Sequence, residues 1–381
     1  MWTIDPPIKL IRYLFALRVN SSYARVSPCT ALEFSYVLAN MIADRLPTQE
    51  AAHWRRALRS LRSYEPEILG HDLSSVGVPD GSNLRSDFFN NLNAPTIRWP
   101  INVILHVYPG KFVYGHDELI LWEAKFLGDD ASHQLFLETL LPAVEEAGYG
   151  PLPEFRRKGR LWGNYDIDGV YVANGLQWQP IVRRGEINLR VRPTSRQWAN
   201  DLSFTLNSRK RQQINKLTWI TPFDFRNLSQ HSSSNTRRRQ SNAQGNQRNQ
   251  QQKHSTVPSL HALLYAFNHR FGGHMPIWVP ESYLPSAEQS NARQKSNQRR
   301  QRNRNHKDYP LTYNSLANAA KSFDMRSHEI KPPPKSMPGQ GIGTQTFAQF
   351  PPFMIPYLVL GSVVHLGNHT HLGCGTFYLG E

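Results

Sequence analysis

The pattern of apolar and polar positions at the start of the chain predicts a strand followed by two helices. Residues 8–19 mix β-branched, aromatic and basic side chains, a composition typical of a strand. Thr30 and Glu33 have the spacing of a capping box, in which both side chains satisfy free backbone N–H groups at the start of a helix. Apolar residues then recur at helical spacing until Pro47 ends the helix, and residues 50–62 predict a second, more basic one.

The rest of the first half alternates between strand-like and helix-like patterns. Strands are predicted at 98–107 and 117–127, a helix at 129–148, and further strands at 167–173 and 187–192. Gly148 and Gly150 predict the end of the helix. The resulting order, βα followed by ββαβ, is that of the split βαβ arrangement of ferredoxin-like folds.

The second half repeats this order more weakly. A strand is predicted at 217–226, helices at 258–273 and 350–364, and a closing strand at 374–381. In both halves an apolar helix directly precedes glycines and a strand, which is a weak internal symmetry. The sequence therefore predicts an α+β protein with two tandem ferredoxin-like (RRM-like) domains, residues 1–195 and 196–381.

Charge is concentrated in two polar tracts of the predicted second domain. The net charge is +15, yet residues 226–255 carry six Lys or Arg and no acid, and residues 288–307 carry seven Lys or Arg and one Glu. Both tracts are rich in Gln, Asn, Ser and Arg and poor in apolar residues, which predicts disordered basic insertions near 228–254 and 288–307. Such tracts favour a polyanionic partner, here nucleic acid, although solvated linkers without a partner have the same composition.

Cysteine usage and the distribution of apolar residues indicate a cytoplasmic protein. Cys29 and Cys374 are the two cysteines, and neither belongs to a CxxC pair, which argues for a reducing compartment and against a structural zinc site. An acid and two prolines precede the first apolar run, so no signal peptide is predicted. The longest apolar stretch, near 353–366, is too short to span a bilayer, so no membrane partner is expected.

Three segments together resemble a known family. They are WITPFDFR (219–226), LWEAKFLGDDASHQLFLETLLPAVEEAGYGPL (121–152) and PYLVLGSVVHLGNHTHLGCG (356–375). In this order they resemble the CRISPR-associated repeat-processing endoribonucleases of the RAMP superfamily. The resemblance implies two ferredoxin-like domains around an RNA cleft, precursor CRISPR RNA repeats as the substrate, and no metal or other cofactor. It also implies attack of a ribose 2′-OH on the adjacent phosphorus, a 2′,3′-cyclic phosphate product, and other subunits of a CRISPR interference complex as partners.

Two sets of residues are candidates for binding RNA. Gly367, Gly373 and Gly375 permit a phosphate to approach closely, and successive backbone N–H groups can form an anion site, although glycines also simply fit a loop between a helix and a strand. The densest basic run outside the tracts follows the glycines at 148 and 150 and can neutralise phosphates; the alternative is a solvated face. It consists of Arg156, Arg157, Lys158 and Arg160.

Histidines in the same C-terminal loop are candidates for acid–base catalysis. His369 and His371 are the candidates, because histidine as a residue type can accept or donate a proton near neutral pH, whereas His365 ends an apolar helix and is interpreted as a packing residue. In the resembling family the catalytic histidine more often lies near the first helix, but residues 18–46 contain none. Tyr23 and Arg25 occupy the corresponding stretch and are the alternative candidates, because a cationic head can stabilise a pentavalent phosphorane.

Three hypotheses about function remain open at this point. The first is a metal-independent endoribonuclease that matures CRISPR RNA. The second, motivated by the missing histidine, is a non-catalytic subunit that binds the repeat RNA. The third is a generic RNA chaperone in which the basic tracts do the binding.

Overall fold

The structure, a computed structural model, describes most of the first predicted half and less than half of the second. The described residues are 2–5, 8–27, 30–61, 99–108, 110–150, 159–175, 177–183, 185–195, 197, 214–226, 257–271, 277–280, 317, 320, 325–333, 337–348, 350 and 354–380. Both predicted basic insertions, 228–254 and 288–307, lie outside them, as do Arg156, Arg157 and Lys158.

The first half of the chain contains nine strands and three main helices among the described residues. The strands are β1 (Trp2–Asp5), β2 (Leu10–Val19), β3 (Tyr23–Arg25), β4 (Val103–Val107), β5 (Val113–Gly115), β6 (Leu119–Leu127), β7 (Tyr165–Asn174), β8 (Gln177–Arg183) and β9 (Glu186–Ile187). The helices are α1 (Thr30–Arg45), α2 (Thr48–Leu61) and α3 (Leu141–Tyr149). A helical turn (His133–Leu135) and a π-helical segment (Phe136–Leu140) lead directly into α3.

The second half supplies five strands and two main helices within the same described residues. They are β10 (Lys216–Phe223), α4 (Leu260–Arg270), β11 (Ile277–Pro280), β12 (Met325–Lys331), β13 (Gly341–Phe347), α5 (Ile355–Val364) and β14 (Phe377–Gly380). A 3₁₀ turn, Thr370–Leu372, lies between α5 and β14. None of the helices in the described part of the chain is both long and apolar enough to cross a bilayer.

Two antiparallel sheets organise the two halves and confirm the α+β class. The first has the strand order β4-β6-β2-β7-β8-β9, and the second has the order β12-β13-β10-β14. In the first sheet β2 lies between β6 and β7, the strands on either side of α3 in sequence, and in the second sheet β10 lies between β13 and β14, the strands on either side of α5. Two small sheets, β1-β11 and β3-β5, complete the arrangement.

The prediction of a strand at 187–192 is wrong, and a strand was missed just before it. Only Glu186–Ile187 pairs as a strand there, whereas Gln177–Arg183 forms β8 beside β7. The missed strand contains Pro180 and polar residues, which depress strand propensity, and its register with β7 shifts at that proline. The apparent alternation at 187–192 leaves Leu189 exposed instead of burying one face.

Both hydrophobic cores contain residues from both halves, the first through Leu372 of the C-terminal loop. The first core lies between α1, α3 and the first sheet, where the Phe15 and Trp122 rings stack with centroids 4.2 Å apart. The second core surrounds Trp219 and Phe223 but also contains first-half residues of the opposite sheet face, namely Ile8, Leu10, Ile104 and Leu127. Strand β1 also pairs with β11 of the second half. The start of the chain therefore packs with both halves.

A cluster of buried polar side chains lies on that same face of the first sheet. Glu123 and Lys125 alternate with core residues of β6 and are almost fully buried. Arg12 donates from Nε to Glu123, and Lys125 donates to the backbone oxygen of Val363 at 2.9 Å. His106 and His365 pack beside them with ring centroids 5.3 Å apart. We call these five residues, together with Tyr108, which donates to Glu123, the junction cluster.

The junction cluster predicts a loss of stability that begins near pH 6.5. Burial, and next the charge of Lys125, lower the pKa of His106 to about 3 and that of His365 well below its usual value. The unfolded chain, whose histidines have a pKa of about 6.5, then binds more protons than the folded chain, so the free energy of unfolding falls as pH falls below 6.5. Each histidine contributes about 1.4 kcal/mol per pH unit.

Urea denaturation at a series of pH values between 6.5 and 5 checks this prediction. His106→Gln should make the dependence of unfolding free energy on pH shallower by about 1.4 kcal/mol per unit. The exposed His328 of β12 is the control, since His328→Gln should leave the dependence unchanged. Equal dependence in wild type and His106→Gln would contradict the assignment of a neutral buried His106.

Candidate nucleic-acid interface

The C-terminal loop between α5 and β14 is tied to itself and to the end of β10. Leu366 donates its N–H to the carbonyl of Gly375, and Gly375 donates to that of Pro222, both at 2.9 Å. Asn368 donates its backbone N–H to the carbonyl of Asp224 at 2.7 Å and its side-chain amide to that of Arg226 at 2.8 Å. These bonds leave residues 369–372 as the tip of the loop.

The three glycines of the loop are needed for close packing within the protein. Gly367, Gly373 and Gly375 all have φ between +78° and +100°, a region that disfavours other residues. A Cβ at Gly367 would overlap the carbonyl of Asp224, and one at Gly375 would overlap that of Leu366. At Gly373 it would lie 2.6 Å from the carbonyl of Leu105 in β4. The fold itself therefore explains the glycines, and their contact with RNA stays a prediction.

His369 lies against a buried carboxylate. Its Nε2 is 3.4 Å from Oδ2 of Asp224, which also accepts hydrogen bonds from the guanidinium of Arg226. Burial alone would raise the pKa of Asp224, but hydrogen bonds from His369 and Arg226 and the charge of Arg226 lower it to about 2. Asp224 is therefore an anion at neutral pH, and an anion beside an imidazole fixes the orientation of the ring.

The tip of the loop carries two neighbouring imidazoles, of which His371 has its Nε2 atom buried. His369 adopts a left-handed backbone with φ 55°, which is uncommon for a residue other than glycine and is found preferentially at functional sites. Its side chain is 22% exposed, so the ring is fixed by Asp224 but still reaches the surface. The centroids of the His369 and His371 rings are 6.3 Å apart. The pair can therefore supply two proton-transfer groups to one bound molecule.

Two arginines flank this tip, and sequence reasoning did not single out either. Arg226 follows β10 and contacts Asp224, while Arg270 at the end of α4 donates from Nη1 to the hydroxyl of Thr370 at 3.1 Å. Asp224 offsets one of these two positive charges, so the charged groups near the tip favour an anion such as a phosphate. Asp224 and Arg226 lie inside the segment WITPFDFR, so that resemblance was the available signal; Arg270 had none.

Tyr23, Arg25 and Arg160 form a second group. Arg25 lies with its guanidinium carbon 5.7 Å from the centroid of the Tyr23 ring and donates its backbone N–H to Gly159 at 2.7 Å. Arg25 also forms an isolated β-bridge with Arg160. Gly159 has φ +77°, and a Cβ there would overlap the Tyr23 ring. The structure thus places three of the predicted residues on one surface, next in sequence to the undescribed run 156–158.

A buried glutamate anchors this second group, in a role different from the predicted helix cap. Glu33 accepts hydrogen bonds from the indole of Trp162 at 2.9 Å and from the backbone of Ser27 at 3.0 Å, and it lies 3.9 Å from Arg160. Burial raises the pKa of Glu33, against the opposing effects of Arg160, Trp162 and Ser27. Glu33 therefore fixes the segment that carries Arg160 against the start of α1.

The two groups offer different chemistry. The loop tip combines two imidazoles with an oriented carboxylate, which suits proton transfer. The Tyr23 group offers the exposed guanidinium of Arg25 and the partly buried one of Arg160, which suit phosphates. In the part of the chain that the structure describes, no three His, Cys, Asp or Glu side chains converge to hold a metal ion. His365 is buried below the loop tip.

Comparison with known proteins gives distant structural likenesses. No protein-family model and no curated protein matches the sequence. The fold is similar to a chain of a structure described as a partial Cas6-RT-Cas1–Cas2 complex, with a TM-score of 0.42 and 11% identity, covering 99% of this chain and 47% of that one. A chain of a Cas6-RT-Cas1–Cas2 complex gives the same score and identity and is covered over 29% of its length. This chain thus spans less than half of either, and its function has to be argued from its own residues.

Replacing Gly375 should destabilise the fold much more than replacing a glycine that has the same backbone but open space. Gly185, in the turn between β8 and β9, has φ +80° and nothing within 4 Å of an added Cβ. Gly185→Ala should cost about 1 kcal/mol from backbone strain alone. Gly375→Ala should cost roughly 3 kcal/mol or more, because the overlap with Leu366 adds to that strain. Chemical denaturation of both variants measures the difference, and equal costs would refute the packing role of Gly375.

Proposed function

We propose that this protein is a metal-independent endoribonuclease that binds and cleaves precursor CRISPR RNA within its repeats. The observation that carries the proposal is His369, held by the buried Asp224 with its ring partly exposed beside His371. The loop tip itself indicates only that proton transfer is possible. The substrate class is inferred from the three segments that resemble the repeat-processing family.

The proposed reaction is attack of a ribose 2′-OH on the adjacent phosphorus. It leaves a 2′,3′-cyclic phosphate and a free 5′-OH, and it needs one group to remove a proton and another to supply one. A carboxylate at Nε2 of His369 requires the hydrogen on that nitrogen, so Nδ1 is the basic atom available to the 2′-OH. His371 then protonates the leaving 5′-oxygen, and Arg226 and Arg270 stabilise the charge on the phosphate.

The second group supplies binding in this proposal. Tyr23, Arg25 and Arg160 contact the phosphates of the repeat on either side of the cleavage site. Arg156, Arg157 and Lys158, which lie close to Arg160 in sequence, are proposed to bind further phosphates. Gly367, Gly373 and Gly375 keep the loop compact enough for its backbone to approach the RNA. Arg25 and Tyr23 remain the catalytic candidates if the loop histidines prove dispensable.

We infer that each main sheet with its helices is one ferredoxin-like unit. The orders β4-β6-β2-β7 and β12-β13-β10-β14 correspond strand for strand, and each has a helix after its first and third strands. The proposed division lies between residues 195 and 196, with β1 crossing to pair with β11. A cytoplasmic protein that transfers its product to an interference complex fits this proposal.

A non-catalytic subunit that holds the repeat RNA is the second candidate. The observation that favours it is that backbone carbonyls of the chain itself pack against the three loop glycines. Packing alone therefore explains the glycines, without any catalytic role for the loop. The Tyr23 group, which contains two arginines and no imidazole, would then carry the function by binding phosphates.

Single-turnover cleavage of a labelled repeat RNA in EDTA tests the primary proposal. His369→Ala should reduce the cleavage rate by about 10²–10⁴-fold through loss of the base, with RNA affinity nearly unchanged. His328→Ala, at an exposed histidine of β12, is the matched control and should cleave like wild type. Substitution of 2′-deoxy at the cleavage site should abolish the reaction.

Three outcomes discriminate between the candidates. Cleavage that persists in His369→Ala and His371→Ala transfers the catalytic role to Tyr23 and Arg25. Cleavage of the deoxy substrate rules out attack by the 2′-OH. Binding without cleavage in every condition selects the non-catalytic subunit.

The binding role of Arg25 predicts a smaller dependence of RNA affinity on salt. Removing one phosphate contact reduces the slope of log K against log salt by about 0.7 for single-stranded RNA. Arg25→Ala should therefore show a shallower slope than wild type in fluorescence anisotropy titrations. Arg326→Ala, at an exposed arginine of the edge strand β12, should retain the wild-type slope. An unchanged slope in Arg25→Ala would remove Arg25 from the interface.

A further inference from the structure

The junction cluster contains a hydrogen-bonded pair that the proposed reaction does not use. Nζ of Lys125 in β6 lies 2.9 Å from Nε2 of His365, which directly follows α5. The two residues are 240 positions apart in sequence and come from the two halves of the chain. Both are buried, and Lys125 additionally donates to the carbonyl of Val363, the second-last residue of α5.

The partners of the His365 ring fix its tautomer. Nδ1 lies 3.1 Å from the carbonyl oxygen of Gly373 and 3.0 Å from that of Cys374. Carbonyl oxygens only accept, so Nδ1 carries the hydrogen and Nε2 is left to accept from Lys125. Each hydrogen bond therefore depends on the other, and the ring transmits the position of Lys125 to the backbone at 373–374.

Those two bonds close the base of the C-terminal loop. His365 begins the loop and Gly373 and Cys374 end it, so its ring bridges the two ends, next to the backbone bond from Leu366 to Gly375. His365 itself has φ 57°, a strained backbone for histidine that persists only where contacts on all sides determine it. His369 and His371 lie between the two ends that this ring holds.

The surroundings of Lys125 explain why its side chain is available for this contact. Glu123 is the nearby carboxylate, with Oε2 at 3.7 Å, but it is shared with Arg12 and with the hydroxyl of Tyr108. Two cations thus share one anion, and Lys125 completes its hydrogen bonds with the neutral acceptors of His365 and Val363. His106 also packs against His365, but among the described residues it makes no hydrogen bond to the loop.

We propose that Lys125 and His365 are positioning residues that set the geometry of the C-terminal loop and thereby the orientation of His369 and His371. The pair joins the first sheet to the loop tip through two hydrogen bonds in series. This inference deepens the proposed function and rests on it for its effect on cleavage. The positioning itself can be measured whether or not the protein cleaves RNA.

The experiment compares two disruptive variants, one conservative variant and one matched control. Lys125→Met and His365→Leu remove the hydrogen bonds and keep similar volume. His365→Gln retains both bonding functions, because an amide can accept from Lys125 and donate to the loop carbonyls. His106→Gln alters a histidine of the same cluster that does not bond to the loop.

Two readouts are used on the full chain. Histidine-ring NMR spectra recorded across pH give the titration midpoints of His369 and His371, and single-turnover assays at saturating repeat RNA give the cleavage rate. Lys125→Met and His365→Leu should move at least one of the two midpoints by about 0.5 pH unit or more, because the ring near Asp224 changes its surroundings. They should also lower the cleavage rate by about 10- to 100-fold with little change in RNA affinity. His365→Gln and His106→Gln should stay close to wild type in both readouts.

Several results would overturn the inference. Unchanged midpoints in both disruptive variants would show that the pair only stabilises the fold. If His106→Gln moved the midpoints as far as the disruptive variants do, the effect would belong to packing of the whole cluster. If His365→Gln moved them equally far, the hydrogen bonds would be excluded as the cause. If a disruptive variant does not fold, His365→Gln against His106→Gln decides, since the inference requires the former to retain wild-type midpoints. Absence of cleavage in the wild type would refute the proposed function and leave the NMR result to judge the positioning.

Discussion

A single buried carboxylate, that of Glu123, makes the junction between the two halves possible. Two cations, Arg12 and Lys125, lie against it in an environment from which water is excluded. Burial alone would raise the pKa of Glu123, but Lys125 and Arg12 lower it to about 2, so the anion is present at neutral pH. Removing one partner of such a group leaves a buried charge unpaired, and this lowers the stability strongly. The intact ion pair, in contrast, contributes little more stability than well-packed apolar side chains would. The cluster therefore mainly specifies the pairing register of β6. Glu123 and Lys125 share one face of this strand, and a register shift of one residue would place both charges in the aromatic core.

A second buried carboxylate plays the corresponding part on the second sheet. Asp224 directly follows β10 and contacts Arg226, His369 and, through its backbone carbonyl, Asn368. The C-terminal loop is thus held from two sides. Lys125 and His365 connect its base to Glu123, and His369 connects its tip to Asp224. Neither half alone contains both anchors, so the geometry of the loop is a property of the assembled chain.

The sequence predicts what depends on neighbouring residues and misses what depends on distant ones. The helix from Thr30, the apolar helix before the C-terminal loop and the tight loop at 365–376 follow from spacing, capping and glycine content, whereas β12 and β13 do not. The burial of Glu123 and Lys125 does not, because alternating charges in WEAKFL ordinarily face solvent and only the second half covers them. Glu33 illustrates the same limit: its spacing predicts a cap, whereas its indole partner at Trp162 is 129 residues away. Strand β8 is an exception, since it pairs with β7 across a short turn and is nevertheless hidden by Pro180 and its polar neighbours, which lower the strand propensity.

The histidines of the loop combine backbone strain with side-chain contacts. His365 and His369 both adopt positive φ, where glycine would fit at no steric cost, and the loop does use glycine at three other positive-φ positions. At the three glycines, backbone carbonyls of the chain occupy the space that a side chain would need. At the two histidines, the ring contacts a buried charged group: His365 bonds to Lys125, and His369 lies against Asp224. Strain of about 1–2 kcal/mol at each histidine is offset by these bonds. A loop determined this closely keeps an imidazole at the surface in one orientation, which is the condition that the proposed proton transfer imposes.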